Sequence, residues 1–238
     1  MIKKFDNNFE HILKKMYIEK YNFIDELKYF HTILDSNIFN KEQIKDIKNI
    51  KELGKDRSSI FIDDYHEFID NNTFFNDTYY EFIETYIKPI YGIENKIVIQ
   101  KTPNLRISFP NLTAIGKHKN EDETNNVIGI HKDSDFGHHE DEINIIIPIT
   151  EMFETNSIYY EPSIESNIST DNYINLNLNT NEFFIVKFNR LLHFNKINKT
   201  GFTRISLDFR IIPYDKYMNN LDYYKNTKFE LGKYYIVL

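Results

Sequence analysis

Residues 203–212 read TRISLDFRII, in which Ile205, Leu207, Phe209 and Ile211 alternate strictly with Arg204, Ser206, Asp208 and Arg210. Successive side chains of an extended strand point to opposite faces, so this segment predicts a long strand with one apolar and one charged face. The common explanation of such a pattern is a strand whose charged face lies in water. Two arginines, a serine and an aspartate on one face admit another: helices cover the apolar face, and the charged face lines the inside of a barrel open at one end. The rest of the chain must then supply both the cover and the other strands.

Upstream of about residue 90, glycine and proline are sparse and apolar residues recur at helical spacing. Phe9, Ile12, Leu13 and Met16 make one stripe and Phe23, Leu27, Phe30 and Leu34 a second. NKEQIKDIKNIKEL puts Ile44, Ile47 and Leu53 near one face and stops at Gly54, and a fourth helix is expected over 76–87, ending before Pro89. Aromatic stripes of this kind read as core rather than as a ligand box. After Pro89 the period changes to two, which predicts strands at 96–100, 105–109, 126–131, 142–149, 157–161, 173–178, 182–188 and 203–212, with KYYIVL as a further edge strand. Short strands at this spacing suggest a sandwich or barrel preceded by helices. The expected organisation is a single domain over 1–238, with a helical part, 1–90, packing on a β core, 91–238.

Composition narrows the partners. The formal net charge is −7, from 29 basic and 36 acidic residues without a long basic block, which gives a nucleic-acid surface no support. There is no cysteine, so disulfides, thiolate metal sites and a cysteine nucleophile are all excluded. The opening MIKKFDNNFEHILKK has no apolar signal core and no run of eighteen apolar residues occurs, so the expectation is a soluble cytoplasmic protein without a membrane partner.

Chemistry must therefore come from His, Asp, Glu and Arg. In GIHKDSDFGH, His131 and Asp133 stand two apart after an apolar run, a spacing that lets an imidazole and a carboxylate reach one metal ion. His193, in RLLHFN, is the candidate third ligand. A lone H-x-D is a weak signal, most often a chance pair or a surface cluster. A rival site from His138, His139 and Glu140 has adjacent residues pointing apart and sits in a charged loop.

The order H-x-D, a histidine about sixty residues later (193 minus 133), and R-x-S eleven beyond it (204 minus 193) resembles the Fe(II)- and 2-oxoglutarate-dependent oxygenases. Within that superfamily HKDSDFGHHEDEINIIIPIT, NSIYYEPS and HFNKINKTGFTRISLDFR look like the StrG-type group, over roughly residues 103–213. The resemblance implies a mainly β fold with α additions: a double-stranded β-helix, jelly-roll or cupin-like, flanked by the N-terminal helices. It implies His131, Asp133 and His193 as iron ligands, the set that leaves three positions open. 2-Oxoglutarate would take two of those positions and O2 the third, with Arg204 and Ser206 holding the distal carboxylate of the co-substrate. Asp133 favours hydrogen abstraction over halogenation, because related halogenases carry a small residue there to admit chloride.

Arg106, Asn144, Glu161, Asp208 and Arg210 match positions characteristic of the group and, with His138, are the candidates for holding substrate; His138 could orient a ligand or a bound water, although a loop histidine is more often solvated, and for Arg106 and Arg210 an internal ion pair with Glu161 or Asp208 is an equal alternative. Asn195 and Asn198 are assigned to the turn before the last strand, and IGKHKNEDETNN to a lid. Asp135 and Phe136 stand where the group suggests an aromatic pair or a tyrosine. The resulting expectation is a hydroxylase of a small polar, sugar-derived metabolite such as a sugar nucleotide or sugar phosphate, in carbohydrate or natural-product biosynthesis, with a homodimer admitted. Two other classes remain open: a non-catalytic jelly-roll carbohydrate-binding module, and a cupin-type metal enzyme, an isomerase or dioxygenase, that does not use 2-oxoglutarate.

Overall fold

The first apolar stripe becomes α1, Asn8–Tyr21, preceded by a short strand β1, Ile2–Lys4. Asn7 caps α1 by accepting the Glu10 N–H, and Phe9, Ile12, Leu13 and Met16 are all buried. The computed structural model describes residues 1–48, 60–93, 96–112, 121–122, 127–162 and 173–238. The second stripe forms a 3-10 helix, Leu27–Asp35, rather than an α-helix. Three residues per turn bring Leu27, Phe30 and Ile33 to one side, and all three are buried.

Helix α2 spans Lys41–Lys48, and the remainder of the expected third helix, through Gly54, lies outside the described residues. Helix α3, Ile60–Asp70, was not expected; α4, Thr73–Phe82, covers the aromatic stretch. The expected stop before Pro89 is corrected. The helical path continues through a π-turn, Ile83–Ile87, into α5, Lys88–Tyr91, and ends at Gly92, whose φ of 61° is the left-handed conformation. The π-turn, in which the Lys88 N–H donates to Ile83 O, lets Pro89 open a new first turn, where its missing donor costs nothing.

The strands are β2 Ile97–Gln100, β3 Asn104–Ser108, β4 Glu121–Asp122, β5 Val127–His131, β6 Ile143–Pro148, β7 Ile158–Tyr160, β8 Ile174–Asn175, β9 Glu182–Val186, β10 His193–Lys196 and β11 Arg204–Pro213. Helices α6, Tyr214–Asn219, and α7, Leu221–Tyr224, lead to β12, Tyr235–Val237. Each expected strand is present within a few residues of its predicted ends. The large sheet runs β1-β9-β6-β11-β2-β12, with β3 also paired to β11, and the small sheet runs β4-β5-β10-β7-β8. Every ladder within them is antiparallel. The class is therefore mainly β with helices, and among the described residues the two sheets stay separate by hydrogen bonding rather than closing into one barrel.

Strand β11 is central, with β6 on one edge and β2 and β3 on the other. Ile205, Leu207, Phe209 and Ile211 are at most 1% exposed and share one apolar cluster with Phe9, Phe30, Phe61 and Phe75 of the helices. Burying each such side chain contributes about 1.5–3 kcal/mol before the entropy of ordering is set against it, so the helices are held on the sheet by its outer face. The inner face is divided. Ile146, Phe184, Val186 and Phe188 pack against Leu176 and Leu178 at one part, leaving the other for the polar residues of β11. No helix among the described residues is long and apolar enough to cross a membrane.

Candidate metal centre

His131 ends β5 and His193 begins β10, and antiparallel pairing places the two directly opposite one another. Their ring centroids are 4.3 Å apart. Asp133 is not on the strand; it opens a 3-10 turn, Asp133–Phe136. Lys132 between them stays extended, with φ −102° and ψ 147°, so the two-residue alternation carries past the strand end and brings Asp133 to the same side as His131. One possible ligand atom from each of the three residues lies within 4.8 Å of the others, and no other described trio of His, Asp or Glu gathers in this way, the His138, His139 and Glu140 rival included.

The two carboxylate oxygens of Asp133 are used differently. Oδ1 is 3.8 Å from Nε2 of His131 and 3.6 Å from Nε2 of His193. Oδ2 accepts from Nδ2 of Asn144 at 2.7 Å and from Nη2 of Arg210 at 2.6 Å. Burial would raise the pKa of this carboxyl, but Arg210, the nearby histidines and the Asn144 hydrogen bond outweigh it and hold the group well below the usual carboxylate range. For His193, burial dominates and pushes the pKa down to about 4, so the ring is neutral near pH 7, the form that binds a metal. Its Nδ1 lies 3.1 Å from Leu191 O, which can only accept, so Nδ1 carries the proton and the Nε2 lone pair faces Asp133. Phe188 stacks on the ring at 4.2 Å.

No family model matches the chain. In sequence it is 26% identical over 156 residues, 63% of its own length, to the streptomycin biosynthesis protein StrG of Streptomyces griseus. The match spans 66% of the length of StrG, just under two thirds. Among solved structures, similar chains include the non-haem monooxygenase ThoJ in complex with nickel, at TM-score 0.37 and 11% identity over 50% of this chain and 45% of that one. Another is HygX of Streptomyces hygroscopicus with nickel, 2-oxoglutarate and hygromycin B bound, at TM-score 0.27 and 9% identity over 49% of this chain and 51% of that one. At these TM-scores the likeness is partial, and the donor set of this chain itself carries the functional reading.

On the polar face of β11 the remaining candidates separate by depth. Arg204 is 1% exposed; its Nη1 donates to Asn195 Oδ1 at 3.0 Å, its Nε has no partner, and no carboxylate among the described residues pairs with it. Burial, with Arg106 nearby, lowers its pKa to about 10. Ser206 is equally buried two residues on. Nearer solvent, Arg106 Nε donates to Asp208 Oδ2 at 2.5 Å, and Asn104 donates to Oδ1 of the same carboxylate at 2.6 Å. Of the ion pairs weighed for Arg106 and Arg210, the Arg106–Asp208 pair is the one formed.

The other substrate candidates have protein partners within the chain. Asn144 and Arg210 bond Asp133, and Asn144 Oδ1 also accepts the Phe188 N–H at 3.1 Å. His138 is buried and shares a 2.6 Å hydrogen bond with Glu142, so it is not the solvated loop histidine that its sequence context most often gives. Glu161 accepts the Leu192 N–H at 2.8 Å, steadying the residue before His193. Asn198 shapes the turn, donating to Ser108 O and Phe202 O; Asn195 lies in β10 and reaches Arg204, not the turn. The expected lid lies largely outside the described residues, and Phe136, 52% exposed, packs edge-to-face with His131, ring centroids 5.0 Å apart. Sequence reasoning missed Glu142 and Asn195. The second had a signal: it stands two residues after His193, so a strand beginning there puts both on one face.

Asp208 carries a measurable pH dependence. Burial opposes ionisation, but Arg106, Arg210 and the hydrogen bonds from Arg106 and Asn104 lower its pKa to about 2. A folded pKa below the unfolded value near 3.9 stabilises the fold above pH 4, and that stabilisation is lost as pH falls towards 2. It is on the order of 2 kcal/mol. Urea unfolding of the metal-free Asp208→Asn variant and the wild type at several pH values is expected to give a gap that narrows over this window; a gap constant from pH 6 to 2 refutes the assignment.

Proposed function

We propose that this chain is a non-haem Fe(II)- and 2-oxoglutarate-dependent oxygenase. The observation that carries the reading is Arg204, a fully buried guanidinium without a carboxylate partner among the described residues, on the interior face that also meets three metal-capable donors. An unpaired buried cation is costly, and a site that receives an anion recovers the cost on binding. His131, Asp133 and His193 offer two imidazoles and a carboxylate, the donor chemistry of Fe(II) sites that keep positions open. Bound iron with 2-oxoglutarate and O2 supplies an oxidation coupled to decarboxylation of the co-substrate to succinate and CO2. Arg204 then matches the distal carboxylate bidentately, and the Ser206 hydroxyl donates beside it.

The pairing of the arginines supports an anion beside the metal donors: Arg106 is paired with Asp208 and Arg210 with Asp133, whereas Arg204 has no carboxylate partner among the described residues. The Arg106–Asp208 pair, with side chains 25% and 15% exposed, borders the more open side and offers donors and an acceptor to a polar substrate. StrG is named for streptomycin biosynthesis, and by that relation the substrate is a small hydroxyl-rich metabolite, sugar-derived and carried as a sugar nucleotide or phosphate. The carboxylate at Asp133 favours hydrogen abstraction, with hydroxylation as the outcome, over halide transfer.

Anaerobic titration of the Fe(II)-loaded protein with 2-oxoglutarate tests this directly. A visible metal-to-ligand charge-transfer band is expected. Metal binding without the band would indicate a cupin-type enzyme that does not use 2-oxoglutarate, and glycan binding indifferent to chelator would indicate a binding module; either result overturns the proposal.

A further inference from the structure

Resting on the metal reading above, we infer that Arg210 is a positioning residue that makes Asp133 a one-oxygen ligand, held in place by a buried chain through Glu142 to His138. Asp133 can offer both oxygens to a metal ion only if Oδ2 is free to turn. Here Oδ2 is taken by two donors, Arg210 Nη2 at 2.6 Å and Asn144 Nδ2 at 2.7 Å, while Oδ1 faces the two imidazoles. The side chains of Asp133 and Arg210 are 7% and 6% exposed, so water cannot substitute for either donor at low cost.

Arg210 is itself fixed from behind. Its Nη1 donates to Tyr234 Oη at 3.1 Å, and that hydroxyl donates on to Gln100 Oε1 at 2.8 Å. Its Nε lies 3.7 Å from Glu142 Oε2, which is also 2.6 Å from Nδ1 of His138, and the Glu142 side chain is 1% exposed. The other Glu142 oxygen accepts the His139 N–H at 2.9 Å. A planar guanidinium can bond Asp133 and Tyr234 through its two Nη groups while its Nε, which makes no hydrogen bond, faces Glu142 as an ion pair; an ammonium cannot keep that geometry. Contacts of this kind around metal ligands change affinity by about 10–100-fold.

The test is an anaerobic Co(II) titration of full-length wild type, Arg210→Lys and Glu142→Gln, with metal-induced difference infrared spectra of protein carrying carbon-13 aspartate. The separation of the antisymmetric and symmetric carboxylate stretches is wide when one oxygen binds the metal and narrow when both do. Arg210→Lys preserves charge and is expected to bind Co(II) about 10–100-fold more weakly, with the aspartate bands drawing together. Glu142→Gln, nearly isosteric and remote from the ion, is expected to lose affinity in the same direction by a smaller factor. A role confined to folding would lower the melting temperature of the metal-free variants and leave the infrared separation untouched. Variants with wild-type affinity and wild-type bands overturn the inference while leaving the metal reading standing; a wild type that binds no Co(II) overturns both.

Discussion

Asp133→Ala is expected to abolish metal binding and to cost the metal-free protein about 3–5 kcal/mol, an unusual pair of losses for one surface-remote carboxylate. The first loss follows from the donor set: two imidazoles remain, opposite one another on β5 and β10, without the charged ligand that gathers them around an ion. The second follows from Arg210. With Asp133 gone, this buried cation keeps the Tyr234 hydroxyl and the more distant Glu142 carboxylate at 3.7 Å, and Asn144 Nδ2 is stranded as well. Removing one partner of a buried pair costs more than the pair contributes, because the other charge stays out of water. Urea unfolding of the metal-free variant measures the second loss, and calorimetry with Fe(II) or Co(II) the first. An alanine variant that binds metal as the wild type does would remove Asp133 from the site.

Arg204→Met has effects of opposite sign on binding and stability. Loss of 2-oxoglutarate binding to the metal-loaded protein by about 2–5 kcal/mol, roughly 30-fold or more, is expected from deleting a buried charge that pairs with a carboxylate. The cofactor-free protein, by contrast, is expected to gain stability, on the order of 1–4 kcal/mol, because a solvated cation no longer has to be buried without a counter-ion. Release of the Asn195 Oδ1 acceptor offsets about 1 kcal/mol of that gain. Metal affinity is expected to stay within a few-fold, since Arg204 bonds Asn195 and forms no ion pair with Asp133. Thermal unfolding with and without 2-oxoglutarate reads both effects, since a ligand that binds the folded state raises the melting temperature. A variant that is destabilised, or still stabilised by 2-oxoglutarate as the wild type is, shows that Arg204 serves the fold and not an anion.

Much of the architecture could be read from periodicity. The Ile205–Ile211 alternation placed the core on one side of β11 and the charged residues on the other, and the 3.6-residue stripe of α1 supplied its cover. Periodicity failed where a short element carries no pattern: β1 and β10 are three and four residues long, too brief to alternate convincingly. It failed again at Pro89, where a π-turn absorbs a residue that would otherwise end a helix.

The candidate site divides along the same line. His131 and Asp133 were legible as a pair because local backbone geometry alone brings residues two apart to one side. The partners of the second carboxylate oxygen were not. Arg210 lies 77 residues from Asp133 in the chain, and nothing in either segment says that the two meet. Glu142, in the run HHEDE, reads as solvated charge, yet its side chain is 1% exposed. By itself, then, the amino-acid order determined which side chains share a face and which types of ligand are available, since both follow from the repeat of the local backbone. Only the packing of one sheet against the other decided that Arg210 is neutralised and Arg204 is not, because a buried charge is defined by the groups that surround it across the fold.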